Sequence, residues 1–374
     1  MTVFARSDTS ILGRWWWTVD RWTLTATGAL IAFGIIMTLA ASPAVAERIG
    51  LDYFYFARRQ LIYVPIALAL LLGVSLLSPR GVCRAATITL IIFGTLVLAT
   101  FMFGTEIKGA QRWISLGQLS VQPSEFLKPT FAVVAAWLFA SARAGGLKHG
   151  NLTSIGAFGL IVGLLLLQPD VGMAVVISAV WACQFFLAGL PLIWAASLAI
   201  SGVMAFLLAY LTLSHVASRV DRFLDPSSGD SYQVDRSLEA FINGGLFGRG
   251  PGEGTVKEVL PDAHSDFVFA VAGEEFGLFV CLIIVCLFGF IVLRGFAKAL
   301  QETDLFILLA TSGLVVQFGL QAVINMGSTL RLIPTKGMTL PFVSYGGSSL
   351  IAMGLCIGFL LALTRKRVGA EALR

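Results

Sequence analysis

Residues 260–267 read LPDAHSDF, and a long apolar run begins where they end. Asp266 therefore lies at the boundary between a polar loop and a predicted helix. Partial burial raises the pKa of a carboxylic acid and helix-start amides lower it, so such a carboxylate is a plausible general base. Spacing alone favours the alternative of a helix cap, in which Ser265 or Asp266 only accepts hydrogen bonds from unpaired amides. His264 together with Asp262 and Asp266 is a weak signal for a metal site.

Other charged and polar side chains fall inside apolar runs. Glu274 and Glu275 lie two turns into the run after Asp266, where adjacent acids need a partner or a wet cavity. Glu125 and Lys128 stand three residues apart at the start of another run, which allows an ion pair on one helix face. Helix stapling is favoured there over ligand contact. Three amides at four-residue intervals predict interhelical hydrogen bonds: Gln317, Gln321 and Asn325.

Composition shows which elements must position these groups. Of 374 residues, 57% are hydrophobic and only 13% are charged. A soluble protein carries about 25% charged residues, so this chain cannot cover a soluble surface. The apolar runs are continuous rather than alternating, which argues against a β-barrel. The 28 Phe and 8 Trp exclude disorder.

The sequence predicts an all-α polytopic membrane protein with about ten transmembrane helices. A membrane domain spans 22–364, between an N-terminal segment 1–21 and a tail 365–374. The predicted spans are 22–43, 60–78, 85–103, 126–141, 153–168, 171–189, 191–213, 267–293, 304–326 and 342–364.

Lys and Arg in the short loops predict that both termini are cytoplasmic. The two longest polar stretches, 104–125 and 214–266, then face outward, the second between the seventh and eighth helices. Arg48, Arg58 and Arg59 fall on the outer side and argue mildly against this orientation. The net charge of +5 is not a nucleic-acid footprint in a membrane protein.

Two features of the long loop are candidates for substrate contact. Residues 232–243 predict a short interfacial helix, which serves either as a plug or as a substrate contact. Its apolar face is formed by Val234, Leu238, Phe241 and Ile242. The glycine-rich run 244–254 lacks a nucleotide-binding pattern, and it predicts either close backbone approach to a bulky ligand or a flexible loop.

Five ordered motifs resemble those of the SEDS family of bacterial cell-wall polymerases, and the resemblance covers nearly the whole chain from about residue 20. The motifs are LPDAHSDFVFAVAGEEFG (260–277), GAQRWISLGQLSVQPSEFLK (109–128), Gln168-Pro169-Asp170, Tyr232-Gln233 with Ser237, and PTKGMTLPFVSYGGSSL (334–350). Two positions depart from the family pattern, Ser265 where Thr is commoner and Asp230 where Gly is expected. Neither departure removes a reactive group.

The resemblance implies a ten-helix inner-membrane glycosyltransferase that polymerises lipid II into glycan strands at the outer face of the membrane. It assigns Asp266 as the catalytic base, and Glu125 with Lys128 as a structural ion pair. The candidates for substrate binding are Arg112, Gln233, Ser237, Lys257, His264 and Lys336.

The implied chemistry needs one base, because a single inverting displacement does not use the two carboxylates of a retaining enzyme. The leaving diphosphate needs cations, for which Arg112, Lys257 and Lys336 are candidates. Further outer cations are Arg249 and Arg331. A divalent cation could share this task, although the sequence offers no convincing ligand set and no other cofactor is expected.

The segment 334–337, with Lys336 in it, resembles the division branch of the family rather than the elongation branch. The expected partners are lipid II, the growing glycan strand, membrane lipid, a class B penicillin-binding transpeptidase and other division proteins, with no nucleic acid. Three alternatives remain open: an elongation-type polymerase, a transporter that flips lipid II, and a division scaffold. Few charges at mid-span positions and the absence of an internal repeat argue against a transporter.

Overall fold

The computed structural model describes residues 10–107, 110–117, 119–189, 192–212, 214–224, 232–334 and 337–366. Within them the chain forms a helical bundle with one small sheet. The helices are α1 Ile11–Thr18, α2 Arg21–Arg48, α3 Tyr55–Ser75, α4 Pro79–Phe103, α5 Pro123–Arg143, α6 Gly150–Leu167, α7 Val171–Leu187, α8 Leu192–Thr212, α9 Ser214–Leu224, α10 Tyr232–Gly244, α11 Val256–Val259, α12 Val268–Ala299, α13 Leu305–Thr329 and α14 Gly347–Leu363.

Each of the ten predicted spans corresponds to one helix, so the all-α polytopic membrane fold is confirmed. Seven helices are long and apolar enough to cross a membrane, and three further apolar stretches lie in α7, α8 and α14. The last span was predicted from residue 342, but α14 begins only at Gly347. Phe342 has φ +63°, outside the helical region, so the chain turns before the helix can start.

A three-stranded antiparallel sheet was not predicted. The strands are β1 Thr105–Ile107, β2 Ala110–Leu116 and β3 Leu119–Val121, in the order β1-β2-β3. Leu116 pairs with Leu119 across a two-residue turn, in which Gly117 has φ +66°. Such a turn needs positive φ, which glycine supplies without strain. The strands β1 and β3 are too short for periodicity to reveal them, and apolar and polar residues do not alternate along the seven residues of β2.

The bundle has two ends that differ in chemistry. At one end, here called the basic end, Arg294 contacts Asp20, and the Lys366 amide donates to the Thr18 carbonyl at 3.0 Å. The start of α2 and the ends of α12 and α14 therefore meet there. The opposite end, here called the loop end, carries the sheet and the long loop with α9, α10 and α11.

The helix α10 packs mainly through its small residues, and of its predicted apolar face Phe241 contacts Phe269 of α12. Its buried residues are Ser237, Ala240 and Gly244, whereas Ile242 is 80% exposed. A Cβ on Gly244 would lie 1.9 Å from the Gly273 carbonyl oxygen of α12. Close helix contact selects small residues, and an apolar face gains little from protein burial where lipid is the solvent.

The helix α12 is broken at Gly277, whose φ of +75° and ψ of −177° are not helical. The glycine-rich loop supplies partners for the freed backbone groups. The amides of Leu278 and Phe279 donate to carbonyls of residues 245 and 246 at 3.0 and 3.3 Å, and the amides of residues 249 and 250 donate back to carbonyls of residues 274 and 275. The loop 244–250 is therefore part of the folded bundle rather than a flexible linker.

A buried polar network joins α5, α13 and the segment before α14. The ion pair expected from sequence spacing is formed, with 2.7 Å between Lys128 Nζ and Glu125 Oε2. Lys128 also donates to Gln321 Oε1 at 2.7 Å, and Gln321 Nε2 donates to the Thr339 carbonyl at 3.1 Å. Lys128 is 2% exposed, so its charge depends on these partners.

The break in α12 predicts an unequal response of two glycines in one helix. Gly277→Ala places a side chain on a positive-φ residue, where its Cβ would lie 2.4 Å from the Gly248 nitrogen. We expect it to lower the free energy of unfolding by about 3 kcal/mol or more. Thermal unfolding in detergent measures the change.

Gly289→Ala is the matched control, because a Cβ at Gly289 meets no atom within 4 Å. It is expected to leave stability unchanged or to raise it slightly, since alanine favours a helix. Equal unfolding temperatures for the two variants would show that the break does not require glycine.

Candidate active site

The turn before α12 is organised by the carbonyl of Asp262. That carbonyl accepts hydrogen bonds from the amides of residues 265, 266 and 267 at 3.1, 3.0 and 3.3 Å. Asp262 has φ +54°, a conformation that Asp tolerates better than most residues. The N-cap position of α12 is Phe267, without a side-chain cap bond, and Ser265 Oγ donates to the Asp262 carbonyl at 3.4 Å.

Three successive carbonyls, those of residues 264–266, are each held by another part of the chain. The first accepts from the Tyr345 amide at 3.0 Å, and the second accepts from Ser344 Oγ at 2.5 Å. The third accepts from Asn325 Nδ2 at 2.9 Å, and the same amide nitrogen donates to the Met338 carbonyl at 2.6 Å. The backbone around Asp266 is therefore fixed by α13 and by the segment before α14.

The carboxylate of Asp266 is partly exposed and lies against the backbone of Gly337. A Cβ at Gly337 would be 2.9 Å from Asp266 Oδ2. A side chain there would crowd the carboxylate, so glycine leaves room for a reacting group. The neighbouring candidate Lys336 lies outside the described residues.

His264 is buried in an aromatic cluster beside Asp266. Its ring centroid lies 4.5 Å from that of Phe56 and 5.3 Å from that of Tyr345. Such packing gives His264 a role in holding the turn in place. The predicted substrate contact of His264 is not supported by this burial.

Arg59 borders this cluster and is not among the site residues predicted from sequence. It donates to the Tyr55 hydroxyl at 2.9 Å and is hydrogen bonded to the Tyr345 side chain. No sequence signal set it apart, because a cation near the end of an apolar helix reaches water and head groups at little cost. It had been considered only for topology.

Lys257 is not available to a diphosphate. It is 7% exposed, and its Nζ lies 2.6 Å from Glu275 Oε1 and 2.8 Å from the Gly252 carbonyl oxygen. Glu275 also accepts from the Gly252 amide at 3.0 Å. The lysine and the glutamate neutralise each other, and together they attach the loop to α12.

Glu274 also attaches the long loop to α12. It is fully buried and accepts from the amides of Thr255 and Val256 at 3.1 and 3.0 Å. Arg249 Nη1 lies 3.7 Å from its carboxylate. The adjacent acids, expected to face a partner or a wet cavity, thus face protein partners.

Arg112 and Ser237 are likewise engaged with the protein. Arg112 donates to the carbonyls of Gln168 and Pro169 at 2.9 and 2.6 Å, which secures the turn between α6 and α7. Ser237 is fully buried and donates to the Thr329 carbonyl at 2.8 Å. The burial of Ser237 does not support its predicted substrate contact, whereas the Arg112 side chain is 29% exposed and its substrate contact stays a prediction. Gln233 lies on α10, partly exposed.

The predicted hydrogen bonds of the α13 amide side chains are formed by two of the three residues. Gln321 and Asn325 make the expected hydrogen bonds between segments, whereas the side chain of Gln317 has no hydrogen-bond partner among the described residues. In that same part of the chain, His, Cys, Asp and Glu side chains form no group of three or more that could hold a metal ion.

This chain is similar to known proteins over nearly its full length. Residues 21–368 match the family described as cell cycle protein, FtsW/RodA/SpoVE. The probable peptidoglycan glycosyltransferase FtsW of Caulobacter vibrioides is 44% identical, covering 98% of this chain and 94% of that protein. The protein of the same name from Coxiella burnetii is 38% identical, covering 93% and 96%.

Solved structures agree with the sequence matches. A chain from a peptidoglycan synthase complex, described as coordinating polymerization and crosslinking, has a TM-score of 0.75 and 29% identity, covering 92% of this chain and 97% of that one. The rod shape determining protein RodA of Thermus thermophilus has a TM-score of 0.65 and 28% identity, covering 93% and 97%. The chain belongs to the FtsW/RodA/SpoVE family.

Proposed function

We propose that this chain is a peptidoglycan glycosyltransferase that polymerises lipid II, with Asp266 as its general base. The observation that carries the proposal is the pairing of a fixed backbone with a partly exposed carboxylate. Hydrogen bonds to the carbonyls of residues 264–266 hold the backbone, and Gly337 leaves space beside Oδ2. A base positioned in this way loses little entropy when it meets a substrate hydroxyl.

The proposed reaction is a single displacement at a sugar carbon. A hydroxyl of the acceptor sugar forms the new C–O bond, and its proton passes to the Asp266 carboxylate. The bond between the anomeric carbon and the lipid diphosphate breaks, and its electrons leave with the diphosphate. One base is sufficient for this inverting route.

Arg59 is the cation that we propose for the leaving diphosphate. Lys257 is paired with Glu275, and Arg112 is directed to backbone carbonyls. Arg59 lies beside Tyr345, whose own amide bonds the turn that contains Asp266. A guanidinium presents several donors in one plane and suits phosphate oxygens. The role of Lys336 stays a prediction from sequence.

Division rather than elongation is the branch that we propose, with action at the septum of the inner membrane. The support is the similarity to proteins named FtsW and the Lys336 motif in the sequence. A relative of known structure works in a complex that couples polymerization with crosslinking. A class B penicillin-binding transpeptidase is accordingly the proposed partner.

Asp266→Asn tests the base. The substitution keeps the size and the backbone bonds but removes the proton acceptor, so we expect a folded protein without lipid II polymerisation in vitro. Asp262→Asn is the control, because Asn also tolerates the left-handed backbone there and should retain most activity. Near-normal polymer from Asp266→Asn would refute the assignment, and lipid II translocation without polymer would favour a transporter.

Arg59→Gln tests the diphosphate contact. Loss of a charge-assisted hydrogen bond costs about 1.5–3 kcal/mol, so kcat/KM for lipid II should fall roughly 10- to 100-fold. The neighbouring Arg58→Gln is the matched control, because the Arg58 side chain is 71% exposed and pairs only with Asp52 among described residues. Equal effects of the two changes would argue against a specific role for Arg59.

Depletion in the native host tests the branch. A division polymerase is required for the septum, so depleted cells should form filaments with unfinished septa, visible by microscopy. Complementation by the intact chain, but not by Asp266→Asn, should restore division. Rounded cells that still divide would assign the chain to the elongation branch.

A further inference from the structure

A cavity of about 400 Å³ opens at the basic end of the bundle. The junction of α1 and α2 and the ends of α12 and α14 form its walls, and four basic side chains face one carboxylate across it. Arg294 lies 28 residues along α12 from Asp266, roughly 40 Å of helix. The cavity is therefore separate from the candidate active site.

One basic side chain is already neutralised. Arg294 Nε donates to both carboxylate oxygens of Asp20, at 2.9 and 2.7 Å. Burial of Asp20 favours its protonated form, but the hydrogen bonds and charge of Arg294, together with the Thr23 hydroxyl and the charge of Lys298, outweigh burial and lower its pKa. The Asp20 carboxylate is therefore charged near neutral pH, and this pair forms a fixed wall of the cavity.

The remaining cations form no ion pair with a carboxylate in the described part of the chain, although the charge of Lys298 also acts on Asp20. Arg21 stacks over the rings of Trp16 and Trp17, at 5.0 and 4.8 Å from their centroids. The ammonium groups of Lys298 and Lys366 make no hydrogen bond or ion pair with other described residues. The cavity thus holds a surplus of three positive charges.

The surroundings of the cavity are those of a membrane surface. Trp17 and Trp22 line it, and Trp22 is 66% exposed. Indole rings favour the level of lipid head groups. The preceding helix α1 exposes Ile11 and Leu12, and Trp15 Nε1 anchors it to Ser75 Oγ at 2.9 Å. By the positive-inside rule, this end faces the cytoplasm.

We propose that this cavity binds the head group of an anionic phospholipid of the inner leaflet, with its phosphate beside Lys298 and Lys366. Basic pockets between membrane helices on the cytoplasmic side suit such head groups. The indoles of Trp17 and Trp22 provide apolar surface for the start of the acyl chains. A lipid held there contacts the start of α2 and the ends of α12 and α14 together, and so ties the two ends of the chain.

Lipid retention by the full-length protein tests the site. The protein is placed in nanodiscs that contain equal fractions of phosphatidylglycerol and phosphatidylcholine, matched in acyl chains. The nanodiscs are then disrupted, and native mass spectrometry identifies the lipid that stays bound to the protein. Wild-type protein should retain phosphatidylglycerol. The double variant Lys298→Gln/Lys366→Gln should retain roughly 20-fold less, because each cation near the surface contributes about fivefold.

The control Arg80→Gln/Arg84→Gln removes two exposed cations at the start of α4, outside the cavity. It should retain phosphatidylglycerol as wild type does. Equal loss in both double variants would show only general surface attraction and would overturn the proposal. Displacement of the lipid by excess inorganic phosphate would also overturn it, in favour of a small-anion site.

A third variant distinguishes the loss of charge in the cavity from a loss of folding. Lys298→Arg/Lys366→Arg keeps both charges, so it should retain phosphatidylglycerol and the wild-type elution profile. Loss of the lipid from this folded variant would mean that charge in the cavity does not hold the head group. Capture of an acidic peptide in place of lipid would likewise refute the assignment.

Discussion

Backbone amides and carbonyls find no water in the hydrocarbon layer, so any interruption of a membrane helix needs protein partners for the groups it frees. The break of α12 at Gly277 meets this need through the loop at residues 244–250, which donates and accepts on both sides of the break. The turn at residues 264–266 meets it through α13 and the segment before α14. Both solutions also fix the neighbourhood of Asp266, so the requirement for backbone partners organises the candidate site.

Buried charged side chains likewise need partners within the protein. Lys128 with Glu125, and Lys257 with Glu275, form ion pairs that further hydrogen bonds support. Removing one member of such a pair costs more than the pair contributes, because an unpaired charge stays behind. These four residues are therefore parts of the scaffold.

The helix α12 connects two different environments. Its first segment, before Gly277, carries Glu274 and Glu275 and is bound by the long loop. Its second segment is apolar until it reaches Arg294 and Lys298 at the basic end. The break allows the first segment to follow the loop, while the second segment keeps the geometry of a membrane span.

Much of this protein could be predicted from its sequence, because hydrophobic length is a local property. The ten apolar runs predicted the ten membrane helices, and the three-residue spacing of Glu125 and Lys128 predicted their ion pair. The sequence motifs indicated Asp266 as the candidate base. Properties that depend on distant contacts could not be predicted in this way. The sequence does not show that Lys257 pairs with Glu275, that the small residues of α10 are its most buried ones, or that Arg59 lies beside Tyr345. Charge pairing and close helix contact join residues far apart in the chain, and only the tertiary structure decides which side chains remain free to meet a substrate.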